Sequence, residues 1–349
     1  MSTNKNRKRI FKIVFIIASL CSLFLVPWTL VKAWITPLPD TIQEQVNEAI
    51  DYDFKGVIIY VNQAGKPPKH FTSGWHNPNL KTPTRPNALF KIGSIKKLYN
   101  AVAVTKLVHN GKLSLDKTIA DYLPELNGRI ENANQITLRQ MVQHRSGLPN
   151  YTDTPNFWAN PTDTYSESLA LILDKPANFK PNSNYEYCNT NYLLINKIMD
   201  NVLGYNNFEF LKEEVLKPLH LTHTYNSLSE VNIDDVMSGY HIGHYLDLKN
   251  DNFGMLATAE DVGKFLRALN NGTVFKPGEQ DIYTAIYKYE HAGWVPGYQS
   301  FANYYKDIDT AVIAFYSTTD PKLHLWNLSE IINSRIVKIL EKQIAENKI

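Results

Sequence analysis

The sequence predicts an α/β fold of the α+β kind: an antiparallel sheet flanked by helices, joined to an all-helical half, with the active site in the cleft between them. Two observations predict it, together with one rule of assembly. Segments rich in β-branched and aromatic residues lie towards both ends, at residues 56 to 61 and again at 300 to 305 and 310 to 315. Between residue 94 and about residue 285, helical periodicity and loops dominate instead. Strands so far apart in the chain form one sheet when the intervening segment builds its own layer.

The first element is a positively charged start, Lys5, Arg7, Lys8, Arg9 and Lys12, which runs into the uncharged apolar stretch 13 to 26 and then Pro27 and Val31-Lys32-Ala33. Basic, apolar and small-residue regions in that order describe an export signal. Residues 1 to 33 are therefore expected to be a signal peptide or an N-terminal membrane anchor. Cleavage after Ala33 and membrane attachment through residues 10 to 31 both fit, the second because the apolar stretch extends that far if Lys12 and Pro27 are tolerated. The protein is expected to be exported, periplasmic or on the outer face of the cytoplasmic membrane.

Residues 34 to 349 then form the folded domain, with a sheet half at about 40–85 and 286–349 and a helical half at about 86–285. A helix is predicted over residues 40 to 51, with Ile42, Val46 and Ile50 on one face after an N-cap at Asp40. The strand at 56 to 61 turns through Asn62-Gln63-Ala64-Gly65 into a second near 70 to 75. Helices follow at 94 to 110 and 192 to 203, two strands at 300 to 305 and 310 to 315, and a last helix at about 326 to 345. At 349 residues and 44% hydrophobic content, the chain can bury a large core. It must do so without a disulfide in the exported part, where Cys188 is the single cysteine. Beyond residue 33, 30 basic residues face 34 acidic ones, a net charge of −4 that excludes nucleic acid as a partner.

Three constellations could carry chemistry. Ser94 opens an apolar helix, and Lys97 lies three residues on, on the same face. A lysine losing solvation there can deprotonate the serine. Tyr187-Cys188-Asn189 offers a phenol that could relay protons if nearby cations lower its pKa, and an amide that both donates and accepts. His291-Ala292-Gly293-Trp294 leads into a strand, where Gly293 lets a substrate approach and the Trp294 N–H can join that of Ser94 in an oxyanion hole. The pairs His220/His223 and His241/His244 lack a third ligand, so no metal or other cofactor is expected.

Taken in order, Ser-x-x-Lys, Tyr-x-Asn and His-x-Gly resemble the serine β-lactamase and penicillin-binding-protein superfamily. The branch it is most similar to holds class C β-lactamases, D-alanyl-D-alanine carboxypeptidases and related esterases. Gly111-Lys112-Leu113-Ser114-Leu115-Asp116, His144-Arg145-Ser146-Gly147-Leu148-Pro149 and Ala257-Thr258-Ala259-Glu260-Asp261 also look like family segments, so the likeness covers roughly residues 40 to 320. It implies a β-lactamase-like fold, Ser94, Lys97 and Tyr187 as catalytic residues, and Asn189, His291, Gly293 and Trp294 as substrate-binding ones. It further implies an acyl-enzyme on Ser94 and a small-molecule or cell-wall acyl substrate: D-alanyl peptides or esters of the envelope, or β-lactam-like compounds. Where many relatives have Lys-Thr-Gly, Ala292 has no hydroxyl for a substrate carboxylate, which favours a small ester or D-amino-acid derivative over a classical β-lactam. A catalytically silent envelope binding protein is the alternative from another class.

Overall fold

The apolar run at 56 to 61 forms the strand Gly56–Gln63 at the centre of a six-stranded antiparallel sheet. The structure is a computed structural model that describes residues 2–24, 26–244, 246–250 and 254–346. From one edge the strands run Thr82–Pro83, Lys69–Asn77, Gly56–Gln63, Thr310–Tyr316, Tyr298–Tyr305 and His291–Val295. Pairing joins the two ends of the chain, Ile59 opposite Ala314 and Tyr60 opposite Ile313.

Both faces of the central strands are covered, which is why their sequence is continuously apolar instead of alternating. Val57, Ile59 and Val61 pack with Ile42, Val46, Leu328, Ile332 and Ile336, from the helices Ile42–Ile50 and His324–Glu346. Ile58 and Tyr60 join the second, larger core with Val262, Phe265 and Leu266 of the helix Ala259–Asn270. The N-cap of the first of these helices lies one residue later than predicted. Thr41, not Asp40, is its N-cap, because the Thr41 hydroxyl accepts from the Glu44 N–H while the Glu44 carboxylate accepts from Thr41 N–H.

The other half is not all-helical, as expected, but includes a small three-stranded sheet of Phe90–Lys91, Thr224–Tyr225 and Leu256–Ala257. Two-residue strands are too short to leave a period-2 signature, so nothing in the sequence pattern announces them. Its central helix, Lys96–His109, is buried through Leu107 and carries its own buried ion pair, Lys106 Nζ to Glu279 Oε2 at 2.9 Å. Lys106→Met leaves the Glu279 carboxylate buried without its counter-charge. The expected loss of stability in urea unfolding is about 3–5 kcal/mol.

Candidate active site

Ser94 lies in a single 3₁₀ turn, Gly93–Ile95, directly before the helix Lys96–His109. The turn brings its hydroxyl between two partners: Lys97 Nζ at 3.0 Å and the Tyr187 hydroxyl, which donates to it, at 2.6 Å. Lys97 also donates to Asn189 Oδ1 at 2.8 Å. The Asn189 amide is held in turn by its donation to Thr152 Oγ1 and by the bond from its N–H to Asn150 Oδ1, both at 2.9 Å. Two separate segments thus converge on the Ser94 oxygen, and a third, at Asn150 and Thr152, holds Asn189 in place.

Burial lowers the pKa of Lys97 to about 7, and the neighbouring charges of Lys96 and Lys288 push in the same direction. Near neutrality both the ammonium and the free amine of Lys97 are therefore populated. In the ammonium form Nζ donates to Ser94 Oγ, and in the amine form its lone pair can take the hydroxyl proton. Tyr187 behaves differently from expectation. Burial pushes its pKa up, and the neighbouring Tyr185, Cys188 and Tyr151 add to this, so it stays a phenol and a donor. The lysine, not the tyrosine, is the group whose proton is loosely held.

The strand His291–Val295 passes close over the Ser94 turn. A Cβ on Gly293 would lie 2.1 Å from Ile92 O and 2.9 Å from Ser94 N, and one on Gly93 would lie 3.0 Å from Trp294 N. Only a strand without a side chain at 293 can bring the backbone amides of Ser94 and Trp294 this near each other. Two N–H groups beside a nucleophilic oxygen suit an oxyanion.

His291 lies in the cleft as a neutral ring. It is 7% exposed, between the rings of Tyr187 and Tyr287, and Nδ1 lies 2.6 Å from Ala292 O. A carbonyl only accepts, so Nδ1 carries the proton. Burial and the charge of Lys288 hold the ring neutral. It lines the cleft but offers a substrate neither a cation nor a free donor. The exposed cation on this side is Lys288, three residues upstream.

Cys188 is no rival nucleophile. Its thiol is buried, points to Leu148 O at 3.4 Å, and has its pKa raised by that burial. The residue N–H donates to His144 Nδ1 at 3.0 Å, and the His144 ring stacks on Tyr187 with centroids 4.5 Å apart. Burial takes the pKa of His144 down to about 3, with Lys97 and Lys288 adding to the effect. A neutral ring that accepts at Nδ1 and stacks on the phenol positions the Tyr187 loop.

The cleft measures about 620 Å³. One wall is aromatic: Tyr151, Phe157, Trp158 and Trp294 meet edge to face in sequence, at centroid distances of 5.2, 5.2 and 5.4 Å. Sequence reasoning found Ser94, Lys97, Tyr187, Asn189, His291, Gly293 and Trp294, and the fold brings all seven to this cleft or its floor. It missed Asn150, Thr152, Trp158 and Lys288. A signal existed for two of these, since Asn150 and Thr152 directly follow the segment His144-Arg145-Ser146-Gly147-Leu148-Pro149.

The family model described as Beta-lactamase matches residues 31–325. Protein flp of Staphylococcus aureus strain N315 is 26% identical over 195 residues, covering 54% of this chain and 39% of that protein. A putative D-alanyl-D-alanine carboxypeptidase of Escherichia coli strain K12 is 28% identical over 199 residues, covering 55% and 45%. These matches thus span less than half the length of either relative. Among solved structures, a D-amino acid amidase from Ochrobactrum anthropi SV3, complexed with L-phenylalanine, superposes with a TM-score of 0.75 at 21% identity, covering 86% of this chain and 98% of that one.

Proposed function

Because the chain belongs to the Beta-lactamase family, a family of serine hydrolases, we propose that it hydrolyses amides or esters of D-amino-acid type through an acyl-enzyme on Ser94. The observation that carries this reading is the Ser94 hydroxyl held between a lysine of depressed pKa and a protonated phenol, at 3.0 and 2.6 Å. Ser94 Oγ attacks the substrate carbonyl as Lys97 Nζ takes its proton. The developing oxyanion is met by the N–H groups of Ser94 and Trp294. When the tetrahedral intermediate collapses, the leaving amine or alcohol departs with a proton passed from Lys97 by way of Tyr187. Water then attacks the ester on Ser94 and gives up a proton to the Lys97 amine; as this intermediate collapses the proton passes from Lys97 to Ser94 Oγ, the acid leaves, and the free hydroxyl and amine are restored. Asn189 holds Lys97 in place throughout.

Substrate class follows from the walls. The aromatic face of Tyr151, Phe157, Trp158 and Trp294 suits an apolar group on the acyl side. The Ochrobactrum amidase forms complexes with L-phenylalanine and with D-phenylalanine, and an aromatic D-amino-acid amide would fit such a face here. With Ala292 lacking a hydroxyl and His291 neutral, neither residue holds a β-lactam carboxylate as the Lys-Thr of many relatives would. A second reading, a D-alanyl peptidase of the cell envelope, is favoured by Lys288, whose charge faces Lys97 and His291 across the cleft rim.

A panel of D-phenylalanine amide, p-nitrophenyl acetate, a D-Ala-D-Ala peptide and nitrocefin tests both. The amide and the ester are expected to turn over, nitrocefin slowly or not at all, and Ser94→Ala to remove every activity. Lys288→Gln is expected to raise KM for the peptide, which has a free carboxylate, and to leave KM for the amide unchanged. Full activity in Ser94→Ala overturns the reading, and so does the absence of turnover across the whole panel.

A further inference from the structure

The short helix Trp28–Ile35 is built into the domain. Ala33 is 2% exposed in the core beneath the terminal helix His324–Glu346, and Leu30 packs against the same cluster. The Thr29 hydroxyl and the His324 ring lie 2.7 Å apart. Arg335, itself 5% exposed, donates to Ala33 O at 3.2 Å, Thr36 O at 2.6 Å and Pro37 O at 2.9 Å, and also bonds Gln45 and pairs with Glu48. A buried guanidinium with this many donors needs these carbonyls, because unpaired it would be strongly destabilising. It also sits at the C-terminal end of the helix, where orphan carbonyls favour a cation. Cutting the chain after Ala33 would remove Leu30 and Ala33 from the core and place a new ammonium beside Arg335. The match to the family model likewise starts inside this helix, at residue 31.

The outward side of the same segment is apolar. Trp28, Trp34 and Ile35 are 56, 73 and 65% exposed. They continue the exposed apolar surface of the helix Ser2–Leu23, where Ile10, Phe11, Ile13, Val14 and Phe15 all face outward. No single described helix is long and apolar enough to cross a membrane, but the pair Ile10–Leu23 and Trp28–Ile35, bent by 74°, passes the same test of length and composition. Lys5, Arg7, Lys8 and Arg9 precede this surface and Lys12 lies near its start, which gives it the charge of a segment that meets anionic headgroups on the cytoplasmic side. Tryptophans just beyond an apolar segment favour the water interface of a bilayer.

We propose that residues 28 to 36 are a permanent part of the domain and form its bilayer-facing edge, so that the N-terminal helix is an uncleaved membrane anchor. Trp28, Trp34 and Ile35 then enter the outer leaflet at headgroup level and complete the apolar segment that Ile10–Leu23 begins, and the catalytic domain is held against the outer face of the membrane. Attachment of this kind is independent of the chemistry proposed for Ser94.

The full chain should therefore be recovered from the membrane fraction at its intact mass, released by detergent and not by salt on the order of 1 M, which screens surface charges. A mature product beginning at Trp34 overturns the proposal. In the second arm, the detergent-purified full chain is reconstituted into phosphatidylglycerol vesicles with brominated acyl chains near the headgroups. Tryptophan emission is expected to be quenched, and Trp28→Phe with Trp34→Phe, which keeps the surface apolar, is expected to remove most of that quenching. Unchanged quenching in the double variant, or a detergent-resistant dimer that buries both tryptophans, overturns the bilayer-facing edge.

Discussion

Lys97→Met is expected to lower kcat/KM by about 10²–10⁴-fold, the range that general-base catalysis contributes. The side chain fills similar space without an amine, so the Ser94 proton loses its acceptor while the helix Lys96–His109 keeps its packing. Thermal stability is expected to hold or rise, because burying an ammonium is costly and methionine removes that cost. The wild-type enzyme supplies the matching pH dependence. Only the amine form of Lys97 accepts a proton, so acylation is slow below pH 7 and rises with pH through the pKa of about 7. Lys288→Gln takes away a positive charge that helps to lower that pKa, so it should move the midpoint upward. A profile that falls through the same range would place the reactive proton on the lysine and reject its role as base.

The second large effect is expected at Gly293. An alanine Cβ there meets Ile92 O at 2.1 Å, Ser300 Oγ at 2.5 Å and Ser94 N at 2.9 Å. Two of the three are backbone atoms in or directly before the Ser94 turn, so the strand His291–Val295 must move away from it. That movement parts the amides of Ser94 and Trp294 and breaks the bond from Ser300 Oγ to Ile92 O, now 2.8 Å. Loss of one oxyanion donor typically costs about 10²–10³ in kcat. Gly293→Ala should therefore lower kcat with a smaller change in KM, and steady-state kinetics on an ester substrate will separate the two.

Much of the fold was legible because its strongest signals are local. The run Val57 to Val61 is unbroken because helices cover both faces of its sheet, and the apolar circumference from Leu98 to Leu107 marks a helix buried on all sides. The site was legible because each motif sits at the end of one such element. What escaped is long-range. Lys288 reaches the cleft through the path of the chain between a helix and a strand, and no spacing announces that. Arg335 binds carbonyls about 300 residues away, so the sequence could not show that the helix after Pro27 belongs to the domain. The neutral state of His291 depends equally on burial among Tyr187, Tyr287 and Lys288.

The most direct test of the central claim is peptide mapping by mass spectrometry after reaction with a fluorophosphonate at several pH values. One adduct per chain is expected, on the peptide containing Ser94, forming faster as the pH rises through about 7. An adduct on Cys188 or Tyr187 would contradict the account, as would unmodified Ser94 in an enzyme that the reagent has inactivated.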